Sequence, residues 1–180
     1  SVCKALVVEP NPTSRSILVG ILRELGFESV VQVTRPPDAL KKLEYTTFDF
    51  IFCEYHFDNA AHTGQAFLDD LRQSRILPLS TAFMMVTHES TYEKVSEAVE
   101  SALDSYILKP FVFNKLRERF IEVRKRKYEL REIFASLEAE DFKEAIRLCE
   151  KRVEAKAPYW LYAARLGAEL SLRAGEHERA

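Results

Sequence analysis

Short apolar segments alternate with helix-type patterns along the first two thirds of the chain, and this alternation constrains the fold more than any other feature. Five segments are four to six residues long and mostly apolar: Lys4–Glu9, Ser29–Val33, Phe50–Cys53, Ala82–Thr87 and Ser105–Leu108. Runs of this length are typical of strands that are buried on both faces of a parallel sheet. After Pro110 the apolar residues follow helical spacing instead.

Helix signals lie between these predicted strands. Asn11 is an N-cap residue, Pro12 follows it at the first helical position, and Gly26 lies where this helix is expected to stop. Pro37–Tyr45 and Gly64–Ser74 are further amphipathic segments, and a capping-box pattern predicts another helix start at Ser90. A strand–helix alternation of this kind predicts a doubly wound, five-stranded parallel sheet of order 2-1-3-4-5 with helices on both faces.

The composition is that of a folded protein without a dominant charge. Of the 180 residues, 47% are hydrophobic, and 26 Lys and Arg stand against 28 Asp and Glu, a net charge of −2. There is therefore no overall positive field to attract nucleic acid, and the apolar runs are too short for a membrane helix. Three cysteines without metal-type spacing and the lack of an export leader favour a cytoplasmic location.

Residues 123–180 are predicted to form a connector helix and an all-α tail. A heptad seam consists of residues at alternating intervals of four and three: Leu116, Phe120, Val123, Lys127, Leu130, Phe134 and Leu137. The seam predicts either a long connector helix or paired helices in a homodimer. Because Lys127 disfavours a buried coiled coil, we expect packing against the tail helices. The basic run Arg124–Lys127 is flanked by acidic residues and is interpreted as a solvated helix face.

The tail contains an internal repeat. The segment EDFKEA at 140–145 matches GEHERA at 175–180 in residue type, with an offset of 35 residues. An alanine after an acidic turn, the later Pro158 and this period resemble tetratricopeptide helix pairs. In such pairs a small residue stands where two helices cross, which assigns that role to Ala145 and Ala180. The resemblance implies binding of a protein partner; the alternative is an unrelated helical tail.

Polar residues end or follow four of the predicted strands: Glu9, Glu54, Thr87 and Lys109. Because the carboxyl ends of parallel strands meet at one edge of the sheet, we expect these side chains to converge. Two carboxylates, a hydroxyl and an amine in this arrangement are typical of phosphoryl-transfer sites. There the acids hold a divalent cation, and the other two groups bind phosphoryl oxygens.

These residues resemble the receiver domain of bacterial two-component response regulators over about residues 2–122. The matching motifs are VVEP at 7–10, FIFCE at 50–54, VT at 86–87 and DSYILKPF at 104–111. The most specific feature is an aromatic residue three positions before a lysine–proline pair. The resemblance implies that Lys109 contacts phosphate, that Thr87 and Tyr106 are the switch residues, and that Glu54 stands at the phosphoacceptor position.

Two departures from the family pattern affect the predicted chemistry. Glu54 replaces the family's acceptor aspartate, and Pro10 replaces the second acid after the first strand. Glu9 and Glu54 then form a weak Mg²⁺ site at most, and we expect neither an enzyme nor a bound cofactor. We interpret residues 1–122 as an atypical receiver. Glu54 imitates part of a phosphoaspartate's charge and pairs with Lys109 from an adjacent strand end. A protein partner is expected at the face near Tyr106 and at the helical tail.

Other interpretations stay open on sequence grounds. Asp58, four residues beyond Glu54, is a candidate phosphoacceptor in a working response regulator. Alternatively, the first domain serves only as a structural adaptor that dimerises. Glu54 and Lys109 are also compatible with a purely structural ion pair, and Thr87 with a strand-end cap.

Overall fold

The structure, a computed structural model, describes residues 3–58, 63–88 and 105–179. The chain divides into two compact units, residues 1–123 and 124–180. The predicted helix start at Ser90 lies outside the described residues. Among the helices within the described ranges, none combines the length and apolarity required to cross a bilayer.

A five-stranded parallel sheet is the centre of the first unit. Its strands are β1 (Lys4–Val8), β2 (Ser29–Val33), β3 (Phe50–Glu54), β4 (Ala82–His88) and β5 (Ser105–Lys109). Every neighbouring pair is parallel, and the order is β2-β1-β3-β4-β5, which confirms the predicted topology. All five residues of β3 are buried, as expected for a central strand that is covered on both faces.

The helices described within the first unit are α1 (Pro12–Glu24), α2 (Pro36–Leu43) and α3 (Gly64–Gln73), and α4 (Phe113–Glu129) begins in this unit and ends in the second. Helix α1 begins as predicted, because the Asn11 side chain accepts a hydrogen bond of 2.9 Å from the amide of Ser14. It ends at Glu24, and Gly26 follows the C-cap residue with a φ of 92°, which is readily adopted only by glycine. The sequence signals therefore set both ends of this helix.

Two apolar clusters cover the two faces of the sheet. One contains buried residues of α1 and α4 together with Phe27, Phe50 and Phe52. The other contains Ala39 and Leu43 of α2 and the apolar face of α3. The central strands β1, β3 and β4 are therefore covered on both faces, and their carboxyl ends are the part of the sheet that can hold a site.

The interpretation of residues 116–137 as one continuous seam is wrong in its first half. Leu116, Phe120 and Val123 are buried in the α1-side core of the first unit and belong to α4. Helix α4 ends at Glu129, and Leu130 separates it from the next helix, α5. The heptad spacing arose because α4 buries one face against a sheet, which requires the same apolar repeat as a coiled coil.

The second unit continues with three helices: α5 (Arg131–Glu138), α6 (Phe142–Glu154) and α7 (Trp160–Arg179). Ala145 is fully buried, as expected of a small residue at a helix crossing. Gly167 on α7 faces Cys149 on α6 so closely that a Cβ at position 167 would lie 3.1 Å from the Cys149 Cβ. Small side chains therefore permit the close approach of α6 and α7.

The second acidic turn predicted at Gly175 is not present. Glu140, its counterpart in the first copy of the repeat, does lie in a turn, with φ of 57°, whereas Gly175 lies inside α7. A Cβ at Gly175 would meet no atom within 4 Å. The helix thus continues through this glycine instead of ending there. Ala180, the second predicted crossing residue, lies outside the described residues.

Candidate functional site

Three charged side chains meet at the carboxyl edge of the sheet. The Lys109 Nζ donates one hydrogen bond of 2.6 Å to Glu9 Oε2 and another of 2.5 Å to Glu54 Oε2. The exposed fractions are 2% for Glu9, 4% for Glu54 and 8% for Lys109. The three residues therefore form a buried ionic cluster, which we call the Glu9–Lys109–Glu54 cluster.

The second oxygen of each carboxylate is bound by backbone amides. Glu9 Oε1 accepts a hydrogen bond of 2.9 Å from the amide of Asn11. Glu54 Oε1 accepts bonds of 2.8 and 3.0 Å from the amides of Tyr55 and His56. Both carboxylates are thus held at both oxygens, which fixes their orientation and compensates for the loss of hydration.

Local backbone packing positions the two acids. The Arg15 side chain donates hydrogen bonds of 2.7 and 3.3 Å to the carbonyl oxygens of Glu9 and Pro10, which ties the loop after β1 to α1. Gly64 lies against β3, where a Cβ would overlap the Glu54 carbonyl oxygen and lie 2.7 Å from Met85 Sδ. Position 64 therefore has no room for a side chain, and this is why it is a glycine.

Lys109 reaches its partners across an intervening strand. We predicted that Glu54 and Lys109 leave adjacent strand ends, but β4 lies between β3 and β5. The long side chain of lysine spans this distance, and it reaches β1 as well as β3. Glu9 as a direct partner of Lys109 was missed from the sequence, although the strand order 2-1-3-4-5 places the ends of β1 and β3 side by side.

Thr87 lies on β4 and Tyr106 on β5. Thr87 is fully buried and follows Val86, which is in register with Glu54. Its hydroxyl donates a 3.4 Å hydrogen bond to the His88 carbonyl oxygen. Tyr106 is half-buried and packs against the apolar cluster on the α2 and α3 side. Their switch roles stay predictions.

Burial and neighbouring charges shift the pKa values of Glu9 and Lys109. Burial raises the pKa of Glu9 above its usual value, although the hydrogen bond to Lys109 and the Asn11 amide oppose the shift. Burial lowers the pKa of Lys109, but its hydrogen bonds to Glu54 and Glu9 outweigh this effect, so the net pKa is raised. The lysine therefore carries its charge at neutral pH, and two carboxylates share one cation.

Cys53 precedes Glu54 and is fully buried. Burial raises the pKa of its thiol well above the usual value, and the charges of Glu54 and Glu9 raise it further. A thiol in this environment stays protonated and is a poor nucleophile.

The residues at this edge do not fit a Mg²⁺ ion. Mg²⁺ prefers about six oxygen ligands in an octahedral arrangement, whereas this edge offers two carboxylates whose oxygens are already bound to Lys109 and to backbone amides. Within the described part of the chain, no group of three or more potential metal-ligating side chains was found. Pro10, which replaces an acid, contributes no side-chain oxygen.

Asp58, the alternative acceptor, lies elsewhere. It is exposed and lines a cavity between α2 and α3. The hydrogen bonds of Lys109 go to Glu9 and Glu54. Arg15 is a further residue that sequence reasoning missed; its position in the first turn of α1, six residues after Glu9, was the available signal.

Comparison with known proteins decides the family. The response regulator receiver domain matches residues 5–121 of this chain. The chain belongs to this receiver family. Receiver domains are components of two-component signalling, so the predicted fold and the coarse assignment to response regulators are both confirmed.

Chemotaxis proteins are among the similar receivers. The chain is 29% identical over 129 residues to the chemotaxis protein CheY of Pseudomonas aeruginosa, covering 68% of this chain and 97% of that protein. It is 28% identical over 123 residues to CheY-3 of Vibrio cholerae, covering 68% and 92%. In three dimensions it resembles CheY4 of Vibrio cholerae, with a TM-score of 0.59, 24% identity and coverage of 68% and 99%. The TM-score to a putative response regulator of Chloroflexus aurantiacus is 0.60 at 20% identity, and the match covers 69% of this chain and 99% of that protein. These structural similarities concern the receiver fold.

Proposed function

We propose that this receiver is an atypical signalling module in which Lys109 binds Glu54 permanently and no phosphoryl group is accepted. Glu54 then supplies a fixed negative charge where the family pattern has a phosphorylatable aspartate. In this proposal the protein is not an enzyme and uses no metal ion, and its output is the binding of a protein partner.

The observation that carries the proposal is the contact of one ammonium group with both carboxylates. Lys109 Nζ lies 2.5 Å from Glu54 and 2.6 Å from Glu9, in a cluster that is almost entirely buried. A phosphodonor approaching Glu54 would have to break these contacts. Without a divalent cation, the charge that develops on the transferred group would also be poorly compensated. Both features support a receiver that is held in one state.

Incubation of the full chain with acetyl phosphate, with and without millimolar Mg²⁺, tests this proposal by intact mass. We expect no added phosphoryl group on the wild-type protein and little change in its fluorescence or NMR spectrum on adding Mg²⁺. An adduct that maps to Glu54, or to Asp58 and is lost in Asp58→Asn, would overturn the proposal and show a working acceptor.

A gain-of-function variant serves as the positive control, because it shows that the assay can detect phosphorylation if the wild type stays unmodified. Pro10→Asp together with Glu54→Asp restores the family's acids, and the shorter Asp side chain draws the carboxylate back from Lys109. We expect this double variant to take up one phosphoryl group in a Mg²⁺-dependent reaction. Pro10→Asn with Glu54→Asp is the matched control, since it lacks the second negative charge and should react much less.

We further propose that the helices of residues 123–180 are tetratricopeptide-type pairs that bind the partner. The α5–α6 pair, the buried Ala145 and the close approach at Gly167 support this assignment. Leu161 and Leu172 on α7 are 67% and 69% exposed. If this surface binds the partner, Leu161→Asp and Leu172→Asp should lower its affinity for the full chain, whereas Tyr45→Asp on the first unit, also exposed, should not.

A further inference from the structure

A cavity of about 800 Å³ opens between α2 and α3. This volume lies within the range of about 300–1,000 Å³ that is typical of small-molecule sites. Most of its surface is apolar, and the lining residues include large apolar side chains: Leu40, Phe57, Phe67, Leu71 and Ile76. The Glu9–Lys109–Glu54 cluster does not line it, so the cavity is separate from the site described above.

Prolines form part of the cavity wall. Pro36 and Pro37 begin α2, and Pro10 lies in the loop between β1 and α1. Proline fixes φ near −65°, so these segments lose little conformational entropy when a ligand binds. The shape of this wall is therefore set before binding, which favours affinity for a small ligand.

The uncompensated charge in the cavity is negative. Asp58 and Asp70 line it, and in the part of the chain that the structure describes neither carboxylate has an ion-pair partner. Arg35, the N-cap residue of α2, also lines the cavity, but its Nε lies 3.5 Å from Asp38 Oδ2, which partly offsets its charge. An occupant therefore meets two carboxylates beside an apolar surface.

We propose that this cavity binds a small organic cation with an aromatic or similarly bulky apolar body. The apolar body would pack against the apolar lining, and Phe57, which is only half-buried, provides an aromatic ring for a cationic group. Asp58 and Asp70 supply the opposite charge and select against anions of the same shape. This proposal does not depend on whether Glu54 accepts phosphate.

NMR titration of the full chain with benzyltrimethylammonium tests the proposal, with benzyl alcohol as the neutral probe and phenylacetate as the anionic probe. We expect saturable shifts at the amides of the lining residues and about tenfold tighter binding of the cation than of the other two probes. Equal affinity for the neutral probe, or shifts that do not include the lining residues, would overturn the proposal.

Three variants locate the binding. Asp70→Asn should weaken binding of the cation and leave binding of benzyl alcohol unchanged. Asp69→Asn is the matched control, because Asp69 is exposed, does not line the cavity and accepts a hydrogen bond from Gln65 instead. Ala66→Leu narrows the cavity and should weaken binding of every probe. An equal loss in Asp69→Asn and Asp70→Asn would show that a general surface field, and not this cavity, attracts the cation.

Discussion

Lys109 and Glu54 are joined across β4, which lies between their own strands, and the ammonium group of Lys109 also binds Glu9, the residue that follows β1. One amine thus compensates two carboxylates that are buried at the edge of the sheet. If the ammonium group is removed, water cannot replace it as a partner of these buried carboxylates. The energetic effects of substitution at this cluster should therefore exceed those of surface ion pairs, which contribute about 0–1 kcal/mol.

Replacing Lys109 with methionine should lower the free energy of unfolding by about 3–5 kcal/mol, because two buried carboxylates would lose their counter-charge. Urea denaturation measures this loss. Lys115→Met, at an exposed position on α4, is the control and should change stability by about 0.5 kcal/mol or less. The double variant Lys109→Met/Glu54→Gln should be less than additive; strict additivity would show that the two groups do not interact.

The stability of the protein should depend on the titration of Glu9. The pKa of Glu9 is raised in the folded state, so the folded protein takes up a proton at higher pH than the unfolded chain does. Relative to Glu9→Gln, the wild type should therefore become more stable as the pH falls from the raised folded pKa towards the usual value of 4.5. Denaturation at several pH values measures this difference. A relative loss of stability on acidification would contradict the assigned direction.

Glu54→Gln keeps the shape of the side chain and removes its charge. If the charge sets the signalling state, this substitution should loosen Lys109 and change the affinity for the protein partner at the face near Tyr106. The partner would first be captured with the full wild-type chain, and its Kd would then be measured for each variant. Lys109→Ala should change the Kd in the same direction. If either variant binds as the wild type does, the cluster is structural only.

Two glycines should respond oppositely to replacement by alanine. Gly64→Ala should cost about 1–3 kcal/mol, because the new Cβ overlaps the backbone of β3 at Glu54. Gly20→Ala should instead stabilise the protein by about 0.5–1 kcal/mol, since Gly20 lies inside α1 and a Cβ there meets nothing within 4 Å. Thermal unfolding compares the two variants. An unchanged stability of Gly64→Ala would show that α3 can move away from β3 at little cost in free energy.

A glycine at position 140 should stabilise the second unit. Glu140 follows the C-cap of α5 with φ of 57°, a conformation that costs about 1 kcal/mol for a residue with a Cβ. Glu140→Gly should therefore raise stability by up to about 1 kcal/mol, as measured by denaturation. Ala139→Gly is the control, because Ala139 has a φ of −78° and glycine relieves no strain there. A gain of the same size in the control would point to a non-specific effect.

The first unit could be predicted from sequence more completely than the second. Its strand order followed from short apolar runs and right-handed crossovers, and the N-cap at Asn11 and the stop at Gly26 set a helix that the structure contains. These are local signals, and they agree with the tertiary contacts. Leu116, Phe120 and Val123 were interpreted as part of a seam because the spacing of an apolar face does not reveal what covers it.

The residues at the candidate site could be predicted from sequence, but their energetics could not. Parallel strands bring their carboxyl ends together, so Glu9, Glu54 and Lys109 were expected at one edge. The solvent exposure of this edge depends on loops such as the one held by Arg15. Such loop contacts produce no periodic pattern in the sequence. The reach of the lysine over β4 to two acids also depends on side-chain length and rotamer, which strand order does not specify.

The two outer strands of the sheet should differ in how readily they separate from it. An edge strand ordinarily opens by local fluctuation, which exposes its amides to hydrogen exchange at a free energy below that of global unfolding. Opening the end of β5 would pull Lys109 away from β1 and β3 and leave two carboxylates without their cation. The last amides of β5 should therefore exchange almost as slowly as those at the centre of the sheet. The opposite edge strand, β2, ends at Val33, an apolar residue that cannot form such an ion pair, and it is free to fray first.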